Sequence, residues 1–163
     1  MAGDRGDDPE AQLASYAQAL AEGIDRALGP WVAGCVERIM SAHAGRMSDE
    51  TAAAAAAAAE RARSEVGAAV AALLGSDPDA QRSTPLALVR GAVRYPTEVL
   101  RAAGVPPVRR DAFAARAFPD DIYDLSPASL ADVAPDLAEP GLAWGAAKAF
   151  VHRRRHRSQL ARR

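Results

Sequence analysis

The residues of this chain best equipped for chemistry are arginines. Arg153, Arg154, Arg155, Arg157, Arg162 and Arg163 fall within its last eleven positions. A guanidinium is a rigid fork of donors that grips phosphate or carboxylate oxygens in pairs. On a polyanion, each such contact would add a salt-sensitive increment through counterion release. The arginines follow an acidic stretch. From Ala117 to Ala147 the charged residues are Asp120, Asp121, Asp124, Asp132, Asp136 and Glu139, a charge of −6 with no Lys or Arg. From Lys148 onward the charge is +7 with no acid, and the net −1 of the whole chain hides the reversal. The cluster demands an anion: nucleic acid, an acidic protein surface, or the chain's own segment 120–139. It holds no aromatic residue on which bases would stack. Leu160 is the only large apolar residue past Val151, which makes the segment poor as a membrane-surface helix.

Asp120, Asp121 and Asp124 read D-D-x-x-D. This resembles the aspartate-rich motif of isoprenoid synthases, where hard carboxylate ligands would hold Mg²⁺ against a diphosphate. Only three positions are fixed, no second metal motif follows, and Pro119 before them marks a turn or helix start, where Asp is favoured anyway. The three aspartates are thus weak metal candidates, and no metal or other cofactor is expected. Cys35 and His43 lie eight residues apart on one expected helix. That spacing separates them by about 12 Å along the axis, too far for a nucleophile and its base. His152 and His156 have the i, i+4 spacing of a metal clamp, but arginines surround them and no further ligand lies near. Glycine-rich phosphate loops and Gly-x-Ser-x-Gly elbows are missing. The chain reads as a binding protein rather than an enzyme.

Such residues need a scaffold, and the composition says what kind. Ala supplies 41 residues, so the 49% hydrophobic content overstates the large side chains available for a core. A thin core that packs through Ala is often completed by a protein partner or a second copy. The single cysteine excludes an internal disulfide. Residues 1–8, which include Arg5-Gly6-Asp7, carry no apolar leader-like run and are expected to be disordered. No apolar run approaches the roughly 20 residues of a membrane span. The expected location is the cytoplasm.

The periodicities place the elements. Asp8-Pro9 caps a helix with Leu13, Tyr16, Leu20, Ile24 and Leu28 on one stripe. Gly29-Pro30 is expected to stop it and start another, which runs past Met40. Ser48 caps a third that carries Ala52 to Ala59 and reaches Leu74, with Gly75 at its end. Residues 9–74 therefore form a long Ala-rich helical hairpin, and 75–83 a linker. In 84–152 a compact section of short, Pro-punctuated helices follows: one from Thr84, kinked or restarted at Pro96 and ended at Gly104; one from Asp111 through Phe113 and Phe118; one from Ser126-Pro127 to Val133. The last begins at Pro140. It is apolar all round from Leu142 to Val151 apart from Lys148, so burial is expected there, with Trp144 and Phe150 as core or partner anchors. Beyond it, 153–163 projects as an Arg-rich extension. No strand pattern occurs, and the fold class is all-α.

Two stretches carry a resemblance. Val89-Arg90-Gly91-Ala92-Val93-Arg94-Tyr95-Pro96-Thr97-Glu98-Val99-Leu100 and Gly141-Leu142-Ala143-Trp144-Gly145-Ala146-Ala147-Lys148-Ala149-Phe150 look like actinobacterial proteins of unknown function. The resemblance spans roughly residues 84–155 and implies a bacterial, cytoplasmic, helical protein with no activity to carry over. Three functions remain: protein–protein interaction first, nucleic-acid association through the Arg extension second, and a small Mg²⁺-dependent enzyme on a phosphorylated substrate third.

Overall fold

A computed structural model describes residues 8–163, and every regular element in it is helical. The expectation for residues 1–7 lies outside the described residues. Six α-helices follow in order: α1 Pro9–Ala44, α2 Asp49–Leu74, α3 Pro85–Gly91, α4 Arg94–Ala102, α5 Ala112–Ala117 and α6 Ala138–Leu160. Two 3₁₀ turns, Leu130–Asp132 and Pro135–Leu137, precede α6.

Local chemistry sets the helix starts. Asp8, Ser48, Thr84 and Asp111 each accept a hydrogen bond from a backbone N–H of the first turn and satisfy a donor that the helix leaves free. Gly45 ends α1 at φ 74°, a left-handed conformation that costs glycine nothing, and turns the chain into α2.

α1 differs from the sequence expectation. Gly29-Pro30 does not divide it; the helix runs on through Pro30. A proline inside a helix removes one hydrogen bond and crowds the preceding turn, at a cost of about 3 kcal/mol. Leu20, Ile24, Leu28, Val32 and Val36 are fully buried on both sides of it, and their burial outweighs the local penalty. Pro30 itself faces outward.

α2 lies antiparallel on α1. Asp25 meets Arg63 at 3.3 Å, and a side-chain carbon at Gly29 would come within 3.9 Å of the Ala59 carbonyl. The buried face of α2 is Ala55, Ala58, Ala59, Ala62, Val66, Val70 and Leu74. Its alanine run is therefore divided: Ala55, Ala58 and Ala59 are core, Ala52 is half-buried, and Ala53, Ala54, Ala56 and Ala57 are exposed.

The later elements close over this hairpin. Val89, Tyr95, Pro96, Val99 and Leu100 of α3 and α4 are buried in the common core. The break between them falls at Ala92-Val93, and Pro96 sits inside the first turn of α4 rather than starting it. The helix expected from Ser126 to Val133 is only the turn at Leu130–Asp132. From the second turn Leu137 packs onto Gly23 of α1, so tightly that a side-chain carbon at Gly23 would collide with it. α6 then runs back along α1, starting two residues before Pro140. It buries only Trp144 and Val151, so the expectation of burial all round is wrong: Leu142 and Phe150 are exposed.

Because α2 meets α1 through methyl groups, added volume there has nowhere to go. Ala62→Leu should destabilise the protein by about 1–3 kcal/mol, while Ala57→Leu on the outer face should change stability by less than about 0.5 kcal/mol. Urea unfolding of the two variants checks this, and equal effects would contradict the close helix contact.

Candidate functional site

The last helix holds most of the residues singled out from the sequence. Trp144 and Val151 point into the core. Lys148 folds its ammonium to 5.1 Å from the Trp144 ring, a cation–π contact at the edge of that buried side. The opposite stripe follows helical spacing through Leu142, Ala146, Ala149, Arg153 and Arg157, all exposed, with Phe150 beside it. Leu142 is 77% and Phe150 52% exposed. The stripe is thus apolar in its first half and cationic in its second.

Beside Leu142 lies a mainly apolar cleft of about 540 Å³. Pro85, Leu86, Leu130, Leu142 and Trp144 line it. A smaller hollow of about 350 Å³ sits between Phe150 and Arg153, Arg154 and Arg157. A further apolar patch lies on α5, where Phe113 is exposed and no residue is buried.

The six arginines do not act alike. Arg155 is half-buried and turns toward the open end of the hairpin. It bonds Glu10 of α1 at 2.9 Å, Asp77 at 2.7 Å and Asp79 at 3.4 Å, and one turn earlier Nδ1 of His152 meets Asp79 at 2.5 Å. The extension expected to project from the body is therefore tied down at its first turn. The acids that hold it come from the N-terminal helix and the linker, not from segment 120–139. Arg153, Arg154, Arg157, Arg162 and Arg163 take part in no ion pair among the described residues.

Two members of the acidic block, Asp121 and Asp132, are spent on local structure, and Asp136 reaches Arg26 of α1 at 3.8 Å. Asp121 is buried, and its two oxygens accept from the backbone N–H groups of Leu125 and Ser126 at 2.7 and 2.8 Å. Asp132 accepts from Ser129 and Ala128, and those backbone donors hold its carboxyl below the usual carboxylate range. Asp124 adopts φ 56°, which a short polar side chain tolerates. Among the described residues no three His, Cys, Asp or Glu side chains gather as a metal site, so Asp120, Asp121 and Asp124 do not form the cluster the motif suggested. Nor do Cys35 and His43 form a pair: Cys35 is buried, and burial pushes its thiol pKa up, away from nucleophilic use. His152 and His156 part company as well, one on Asp79 and the other facing solvent. Among the described residues no helix is long and apolar enough to cross a membrane.

A clasp between α2 and α4 lies outside the expectations from sequence. Arg94 reaches Glu65 at 3.2 Å and the Tyr95 hydroxyl at 2.7 Å; Arg61 reaches Glu98 at 3.3 Å; and the Tyr95 hydroxyl donates to Glu65. Arg61 and Arg94 also lie 5.3 and 4.8 Å from the Tyr95 ring centre. Arg90 donates to the carbonyls of Pro127 and Ala128 at 3.0 and 3.1 Å. The Arg90–Glu98 stretch is thereby committed to holding the fold. Only the helical spacing of Arg90, Arg94 and Glu98 could have hinted at it.

The Asp79 carboxyl is held below its ordinary value by the hydrogen bond with His152 and, secondarily, by Arg155. Its contribution to stability is present while it is ionised and fades as pH falls through and below about 4. Asp79→Asn should therefore lower the melting temperature at about pH 7 and progressively less toward about pH 3. Thermal unfolding across that range checks the sign; an equal loss at both ends would show that no ionised Asp79 anchors α6. Comparison of the chain with protein-family models, with curated proteins and with solved structures finds no match in any of the three.

Proposed function

We propose that this protein is a helical binding module that takes an apolar protein surface on the outer face of α6. The observation that carries the reading is the exposure of Leu142 and Phe150 on one side of one helix, where Leu142 lines a cleft of about 540 Å³ with Leu130 and Trp144. Isolated apolar residues on a surface need no explanation, but two on one helix face, one of them lining an apolar cleft, mark a contact site. Support comes also from the fixing of the helix at Arg155, because a rigid face loses less freedom on binding than a loose tail.

A photo-crosslinking side chain placed at position 150 of the full chain, expressed in cells, tests this. The expected product is an adduct of one defined mass, not formed when the crosslinker replaces Ala56 on the outer face of α2. No adduct beyond that control would refute the reading.

A second reading rests on the five arginines that have no carboxylate partner among the described residues. They would make α6 a nucleic-acid contact. Duplex binding should then weaken steeply with salt, and Arg153→Ala with Arg157→Ala should lower the log–log salt slope by about 2. A gel-shift titration that leaves the slope unchanged removes the arginines from any such role.

A further inference from the structure

We infer that the surface received by α6 is a second copy of this chain, packed as an antiparallel two-fold pair centred on Ala146. The inference rests on the protein-binding reading and names its partner.

Charge is ordered along one stripe of α6. Glu139, Leu142, Ala146, Phe150, Arg153 and Arg157 are all exposed and lie on one side of α6. The order is acid, apolar, apolar, base. A helix with an acidic start, an apolar middle and a basic end is complementary to itself only when reversed. A two-fold axis through Ala146 places residue numbers symmetrically about it. Leu142 of one copy then faces Phe150 of the other, and Glu139 faces Arg153. At 1.5 Å rise per residue, Glu139 and Arg153 each stand about 10 Å from the axis, so both pairs close together. A parallel pair would set arginine against arginine.

Three further observations fit this packing. Ala146 and Ala149 lie at the centre with Gly145 alongside, and small residues let two helix backbones approach closely. Glu139 and Arg153 hold no ion-pair partner within the chain among the described residues, so neither must break a bond to engage the other copy. Finally, the thin core is of the kind that a second copy completes, and two-fold contacts of one patch with itself are the commonest way in which soluble chains associate.

Light scattering and sedimentation of the full chain test this directly. A species of twice the 17.0 kDa chain mass is expected at low salt as the concentration rises toward about 100 μM. Leu142→Asp should abolish it while leaving the monomer folded, with an unchanged helical circular-dichroism spectrum, since that side chain is exposed in the single chain. Glu139→Arg and Arg153→Glu should each weaken the dimer on the order of tenfold by placing like charges together, and the double reversal should restore it to within about threefold. Ala146→Cys, on the axis, should form an intermolecular disulfide under mild oxidation, while Ala56→Cys should not. A monomer under all conditions, or a double reversal no better than the singles, overturns the inference. A monomer that still yields a position-150 adduct with a different protein also overturns it, yet leaves the broader reading standing; loss of the adduct as well removes both.

Discussion

The close contact of α2 against α1 is the constraint on which this structure depends. α2 brings Ala55, Ala58, Ala59 and Ala62 to the interface before any larger side chain appears. Methyl groups bury little area each, so the two helices must approach closely to exclude water at all. That approach lets Leu20, Ile24, Leu28, Val32 and Val36 of α1 reach full burial in one row. The same row carries the helix across Pro30. α3, α4 and α6 are then laid against a rod that the hairpin has already stiffened.

Polar groups finish what a thin core leaves undone. The clasp of Arg61, Glu65, Arg94, Tyr95 and Glu98 pins α4 to α2, and Arg90 holds the turn before Leu130. Arg155 and His152 pin α6 to the linker and the start of α1. Exposed ion pairs contribute little singly, but Arg155 gathers three carboxylates around one guanidinium, and a network of that kind fixes orientation. The consequence for function is a division of labour on one helix. One side is anchored, and the other presents Leu142, Phe150 and unpaired arginines in a fixed array.

Much of the fold was legible from residue types. The capping positions Asp8, Ser48, Thr84 and Asp111 were readable because an N-cap is a short-range event within four residues. The all-α class followed from periodicity. The candidate surface was legible only in part. The arginines stand out by charge, and Trp144 and Phe150 together as core or partner anchors, but an all-round apolar helix gives no cue to which of the two is covered. Asp121 drew notice as a possible ligand, whereas its neighbours' backbone N–H groups claim both its oxygens.

What the sequence alone determined is local: the four capped helix starts, that alanine builds the hairpin, and that charge reverses near Lys148. What tertiary structure decided is everything that depends on residues distant in the chain. It overrode Pro30, chose Trp144 over Leu142 and Phe150 for the core, and delivered Arg155 to Glu10 and Asp77 rather than to the acids just before it. The reason is physical. A helix carries its own hydrogen bonds and so declares itself in sequence, but which of its faces loses water depends on the helix it meets, and a charge pairs with whichever opposite charge the fold places within reach.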